Sequence, residues 1–110
     1  MEKLKTSEKP KIAIISSHMG SQQHGSNNAY FYRASKAAVN NLMVTFSNEL
    51  QSYNISVAAF HPGWVRTDMG GQYASLSPEQ SAKALFKLIM KLNMEDSGNF
   101  FNYDGNNLHL

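Results

Sequence analysis

Apolar residues fall into three short runs and two longer helical stripes along the chain. The first run, Lys11-Ile12-Ala13-Ile14-Ile15-Ser16-Ser17, is β-branched and does not alternate with polar residues. It therefore predicts a strand covered on both faces, as in parallel sheets flanked by helices. Ile55-Ser56-Val57-Ala58-Ala59-Phe60 predicts a second strand, ended by His61-Pro62-Gly63. Asn99-Phe100-Phe101-Asn102-Tyr103 predicts a third, ended by a turn at Asp104-Gly105. Between the first two strands, a helix is expected from about Tyr30 to Tyr53-Asn54. Ala34, Ala37, Ala38, Leu42, Thr45, Phe46 and Glu49 follow helical spacing and mark its expected buried face. A second helix opens at Ser77-Pro78-Glu79-Gln80, where serine caps, proline takes the first turn and glutamine completes a capping box. Its expected inner stripe is Ala82, Leu85, Phe86, Leu88, Ile89 and Leu92.

The order strand, helix, strand, helix, strand predicts an α/β layered fold with parallel strands. Residues 18–29 are rich in Gly, Ser, Asn, Gln and His, and residues 63–76 hold three of the seven glycines, so both are expected to be loops. At 110 residues the chain is sized for a single domain. A net charge of +2 with scattered lysines argues against a nucleic-acid stripe. The mild cluster Lys3, Lys5, Lys9 and Lys11 reads as a solvated helix end or loop. There is no cysteine, which removes disulfides, thiolate chemistry and Cys-based zinc sites. His18, His24, His61 and His109 lack metal-ligand spacing, so no metal is expected. The start lacks a signal-peptide core and no run is long enough to span a bilayer, so a cytoplasmic protein without membrane partners is expected.

Candidate chemistry begins at Tyr32-Arg33-Ala34-Ser35-Lys36. A tyrosine and a lysine four apart share one helix face. An ammonium about 4 Å from a phenol, at an effective dielectric near 20, favours phenolate by ~4 kcal/mol. That is about what brings a phenol of ordinary pKa ~10 to neutrality. The bare pair is also what a packed tyrosine and a solvated lysine would look like. Context decides between the two. Ser16-Ser17 stands at the end of a buried strand, where α/β sheets place ligands. Pro62-Gly63 ends the second strand in a sharp turn that permits close backbone approach to a flat ligand.

Ile14-Ile15-Ser16-Ser17, Tyr32-Arg33-Ala34-Ser35-Lys36-Ala37-Ala38 and Pro62-Gly63-Trp64-Val65-Arg66-Thr67, in that order, resemble the catalytic half of the short-chain dehydrogenases/reductases. The likeness runs over residues 11–110. Arg33 and the Ser97–Gly105 segment are similar to the C-factor-like and sniffer-like carbonyl reductase branch. The resemblance implies the carboxyl-terminal half of a Rossmann-type doubly wound parallel sheet, with three strands and two long helices. Residues 1–110 would form a partial domain without the dinucleotide-binding first half.

It implies roles as well. Tyr32 is the general acid/base, Lys36 lowers the phenol pKa and holds the nicotinamide ribose, and Ser17 polarises a substrate carbonyl. Pro62, Gly63, Val65 and Thr67 contact the nicotinamide side, and the loop from Met69 to Leu76 covers the substrate. Tyr30 stands where the family's usual spacing from Ser17 puts the tyrosine, but Ala34, not lysine, follows it. Tyr32 is therefore chosen, with a longer preceding loop, and Ser16 is the rival to Ser17. The implied cofactor is NAD or NADP, with NADP favoured by the branch, and the implied partner is a small carbonyl or alcohol. The glycines at 20, 25, 63, 70, 71, 98 and 105 give no phosphate-binding pattern. The 110-residue chain is therefore expected to have little turnover alone. A homo-oligomer, or a separate first half, is expected at the bare edge of the Lys11–Ser17 strand. The alternative is a non-enzymatic, C-factor-like signalling or interaction protein that keeps the fold.

Overall fold

The computed structural model describes residues 2–17, 30–65 and 74–110. A short helix α1 (Glu2–Thr6) leads into β1 (Lys11–Ile15), then α2 (Tyr30–Leu50), β2 (Ser56–His61), α3 (Pro78–Lys91), β3 (Phe100–Asn102) and β4 (Asn107–Leu108). The strands form one sheet in the order β1-β2-β3-β4. β1, β2 and β3 run parallel, with Ile12 opposite Val57 and Phe60 opposite Phe101. The expected α/β architecture is present.

The expected strand Lys11–Ser17 is shorter, ending at Ile15. One further ladder bond, from the Ser16 N–H to the Phe60 carbonyl at 2.7 Å, carries the pairing to Ser16. β1 is not covered on both faces as its composition suggests. Its residues are half-buried and Ile15 is 48% exposed, because β1 is the edge strand of the described sheet. β2, its central neighbour, meets the expectation: every residue from Ile55 to Phe60 is buried.

β4 was not foreseen. It pairs antiparallel with β3, Phe100 opposite Leu108, after the Asp104-Gly105 turn reverses the chain. The Asn106 N–H donates to Asp104 Oδ1 and the Gly105 N–H to the Asn102 carbonyl, closing that turn. A two-residue Asn-Leu strand has no apolar period to announce it.

α2 buries a different face from the one expected. The buried positions are Asn40, Met43, Ser47 and Leu50, and Met43 and Leu50 pack with Val44 onto Val57, Ala59 and Phe100. Leu42 and Phe46 are exposed, as are Ala34 and Ala38. The helix carries two apolar stripes, and the sheet takes the one holding Met43 and Leu50. α2 runs into a 3₁₀ turn, Gln51–Tyr53, and Asn54 at φ 57° closes it in the left-handed conformation that asparagine tolerates.

α3 starts as the sequence indicates. Ser77 Oγ accepts from the Gln80 N–H at 3.1 Å, and the Ser77 N–H donates to Gln80 Oε1 at 2.8 Å. Leu85, Leu88, Ile89 and Leu92 pack against Ala58, Phe60 and Phe101, while Ala82 and Phe86 face outward. The Phe60 and Phe101 rings stack with centroids 5.8 Å apart. At the other end, Lys11 Nζ donates to the carbonyls of Ile89 (3.0 Å) and Met90 (2.6 Å), placing a cation on the carboxyl end of α3.

Both crossovers step the same way across the sheet, from β1 to β2 to β3. Two crossovers of one hand would therefore lay both helices on one face. Instead α2 covers Val57 and Ala59 while α3 covers Ala58 and Phe60, so the two crossovers have opposite hands. β2 is apolar on both faces, and each face receives one helix. Among the described residues no helix is long and apolar enough to cross a membrane.

Candidate active site

In a parallel layered fold each helix begins where the preceding strand ends. Ser16 and Ser17, the first turns of α2, and Pro62 to Val65 therefore lie at one end of the sheet. The structure brings three expected segments to that end, and a further one falls among residues it does not describe. That one is Thr67 with the loop from Met69 to residue 73.

Ser16 and Ser17 are both buried, and their positions separate them. Ser16 belongs to the ladder through its N–H and shares the side of Ile12 and Ile14, the face covered by α2. Its hydroxyl finds no hydrogen-bond partner. Ser17 lies one residue beyond the ladder, at the strand terminus.

Tyr32 and Lys36 occupy the first two turns of α2 on the same face. Lys36 Nζ sits 5.7 Å from the centre of the Tyr32 ring, and both side chains are partly accessible. Ser35 Oγ donates back to the Tyr32 carbonyl at 2.8 Å, a local bond that leaves the phenol untouched. Tyr30 and Phe31, just ahead of the pair, are exposed, and Phe31 is 93% accessible. The rival Tyr30 has only Ala34 one turn on, so the charge partner belongs to Tyr32.

The segment after β2 is held on several sides. Gly63 has φ +87°, a conformation glycine adopts freely. A Cβ there would stand 2.3 Å from Leu76 Cδ1 and 2.8 Å from Tyr103 Cδ1, so a side chain at this position would have to displace one of them. The Leu76 N–H donates to the Trp64 carbonyl at 3.0 Å, and Val65 and Leu76 form an isolated parallel bridge. Ser81 Oγ, from α3, donates to the Pro62 carbonyl at 2.7 Å. Trp64 is 58% exposed beside this turn. The sequence did not point to Ser81 or Tyr103, and it gave Leu76 only as the end of a substrate-covering loop. Their contacts with the turn bridge separate segments, and only the capping box just before Ser81 hinted that this stretch was fixed.

Two clefts lined by described residues lie elsewhere. One of about 370 Å³ opens at the opposite end of the sheet, between Pro10, Lys11, Ser56, Met90 and Met94. The other, of about 170 Å³, lies by Phe60, Leu88 and Phe101 under α3. Neither contains the tyrosine–lysine pair. Among the described residues no group of three His, Cys, Asp or Glu side chains is placed to hold a metal ion.

A family model described as short chain dehydrogenase matches residues 1–77. C-signal of Myxococcus xanthus is 41% identical over 96 residues, covering 86% of this chain and 58% of that protein. Among solved structures, carbonyl reductase Sniffer of D. melanogaster superposes with a TM-score of 0.87 at 37% identity, covering 97% of this chain and 48% of its own. The NADPH-bound carbonyl reductase from chicken fatty liver gives 0.83 at 36% identity, covering 91% and 42%. The chain thus spans about half the length of the proteins it matches.

Proposed function

We propose, from the premise that this chain belongs to the short-chain dehydrogenase family, that it carries the catalytic side of an NAD(P)-dependent oxidoreductase acting on small carbonyl or alcohol compounds. The observation that carries this reading is the Tyr32–Lys36 pair, 5.7 Å from ammonium to ring centre, at the same sheet end as Ser17 and the Pro62-Gly63 turn. NADP is favoured over NAD by the similarity to the NADPH-bound chicken enzyme.

The residues present suit the nicotinamide end of such a cofactor. Pro62 has no N–H, Gly63 has no side chain, and the turn they make lies at the same sheet end as the partly accessible Tyr32 and Lys36. The adenosine end is not provided for, because the seven glycines give no phosphate-binding pattern. When bound, the cofactor supplies or accepts the hydride.

The chain's own residues handle the rest. Ser17 donates a hydrogen bond to the substrate oxygen and orients it. Tyr32 gives its phenolic proton to that oxygen as negative charge develops there, and takes it back in the oxidative direction. Lys36 steadies the phenolate that results and holds the ribose hydroxyls. Pro62, Gly63 and Val65 form the wall on the nicotinamide side, Val65 through its backbone, and the family resemblance adds Thr67, which lies outside the described residues.

Two measurements test this. Reduced nicotinamide mononucleotide and NADPH, titrated against Trp64 fluorescence, should bind with similar, weak affinities, since only the nicotinamide half is contacted. In a chimera joining the glycine-rich half of Sniffer carbonyl reductase to residues 11–110, NADPH oxidation with ketones or quinones should fall at least ~100-fold on Tyr32→Phe. Unchanged turnover refutes the role given to Tyr32.

The match to C-signal supports a second reading, a signalling or interaction protein of the same fold. It predicts no response of Trp64 to either nucleotide.

A further inference from the structure

The Pro62–Val65 segment is gripped from two elements that follow it in the chain. Proline contributes no N–H, so the Pro62 carbonyl is the polar group by which this turn can be anchored at its first residue. Ser81 Oγ, from the first turns of α3, meets it at 2.7 Å. Ser81 is itself buried and fixed, its N–H donating to the carbonyl of the capping residue Ser77 at 3.1 Å. Gly63 lies against the side chains of Leu76 and Tyr103, which a methyl group there would displace. The Leu76 N–H then ties down the Trp64 carbonyl. Removing the hydroxyl would leave a half-buried carbonyl unpaired and let the turn rotate about its proline.

We propose that Ser81 is a positioning residue for the nicotinamide-side wall: its hydroxyl, by holding the Pro62 carbonyl, aims the backbone of Gly63 to Val65 at the cofactor. This rests on the reading of the chain as a nicotinamide-dependent oxidoreductase. Ser81 touches neither cofactor nor substrate and acts only through the turn. The capping box of α3 thereby acquires a second consequence, because it fixes the helix start from which Ser81 reaches back across 19 residues.

The experiment uses the 110-residue chain, with Ser81→Ala, Ser81→Cys (similar volume, weak donor) and Leu92→Ala as a destabilised control from the core beneath α3. Three quantities are read: the Kd for reduced nicotinamide mononucleotide from Trp64 fluorescence, amide exchange of Leu76 against Val57 by NMR, and the thermal midpoint. Ser81→Ala should raise the Kd at least threefold and speed Leu76 exchange at least tenfold, with Val57 protection kept. Ser81→Cys should fall between it and wild type. Leu92→Ala should lower the midpoint without selective change at Leu76 or in Kd. Should Ser81→Ala not fold, Ser81→Cys carries the same comparison. Binding by wild type that Ser81 substitution leaves unchanged overturns the proposal alone. Equal effects of Ser81→Ala and Leu92→Ala at equal midpoint loss also overturn it, since that is what a purely structural role gives. Absence of binding by the wild-type chain overturns the oxidoreductase reading and, with it, this proposal.

Discussion

Replacing Gly63 by alanine separates backbone strain from steric crowding, because three glycines share a conformation but not a neighbourhood. Gly63, Gly98 and Gly105 have φ of +87°, +87° and +93°. An L-residue in that region costs about 1–2 kcal/mol. A Cβ at Gly105 would meet nothing closer than Leu88 Cδ2 at 3.4 Å, an ordinary contact, so Gly105→Ala should cost only that strain. At Gly98 the nearest atom is Ser47 Oγ at 3.2 Å, which adds little. At Gly63 the new carbon would overlap Leu76 at 2.3 Å and Tyr103 at 2.8 Å, both from segments that themselves hold the turn. Overpacking of this kind adds about 1–3 kcal/mol. Gly63→Ala should therefore cost about 2–5 kcal/mol. With an unfolding entropy near 2.1 cal/mol/K per residue, each kcal/mol moves the midpoint of a chain this size by ~4 °C. The three variants, melted side by side by circular dichroism, should fall in the order Gly105, Gly98, Gly63, the last lower than the first by at least ~4 °C. A Gly63→Ala midpoint equal to that of Gly105→Ala would refute the claim that Leu76 and Tyr103 close on this turn.

Other substitutions test other parts of the frame. Lys11→Met keeps the aliphatic stem but removes the charge from the Ile89 and Met90 carbonyls. It should lower stability by about 1–3 kcal/mol in urea titration, and no loss would mean that the latch contributes nothing in water. Ser77→Ala should cost about 1 kcal/mol through loss of the α3 cap, with Ser77→Asp recovering most of it. Asn40→Leu should raise the midpoint, because both polar atoms of this buried amide lack a hydrogen-bond partner and an unpaired buried amide costs about 1–3 kcal/mol. A lower midpoint would show that the amide is satisfied after all.

Much of the fold was legible because local chemistry and tertiary demand agreed. The capping box at Ser77 is a short-range device and formed as written. The run Ile55–Phe60 is apolar on both sides, and β2 is buried on both. The turn at Asp104-Gly105 needed only its own residues. Elsewhere the deciding information was not local. The helix pattern of α2 supports two stripes, and only contact with Val57 and Ala59 selects the one with Met43 and Leu50. β1 has the composition of a doubly covered strand, yet its burial is set by its neighbours in the sheet. The opposite hands of the two crossovers leave no trace in periodicity.

At the site, the sequence named Tyr32, Lys36, Ser17 and the Pro62-Gly63 turn, and the fold gathers them at one end. The grip of Ser81 on Pro62 was not readable. No spacing rule links a helix serine to a proline carbonyl in a preceding loop.

The opposite hands of the two crossovers shape how the site end is walled. α2 and α3 both begin there, one above the sheet and one below it, so a molecule lying across the strand tips meets a jaw from each side. The upper jaw bears the tyrosine and lysine, and the lower one steers the proline turn. A piece of the chain that kept α2 but stopped short of α3 would preserve the tyrosine–lysine pair and lose the opposing grip. The smallest unit that keeps both runs from Lys11 to Tyr103, and excision of either helix should abolish nucleotide recognition even where the remainder still folds.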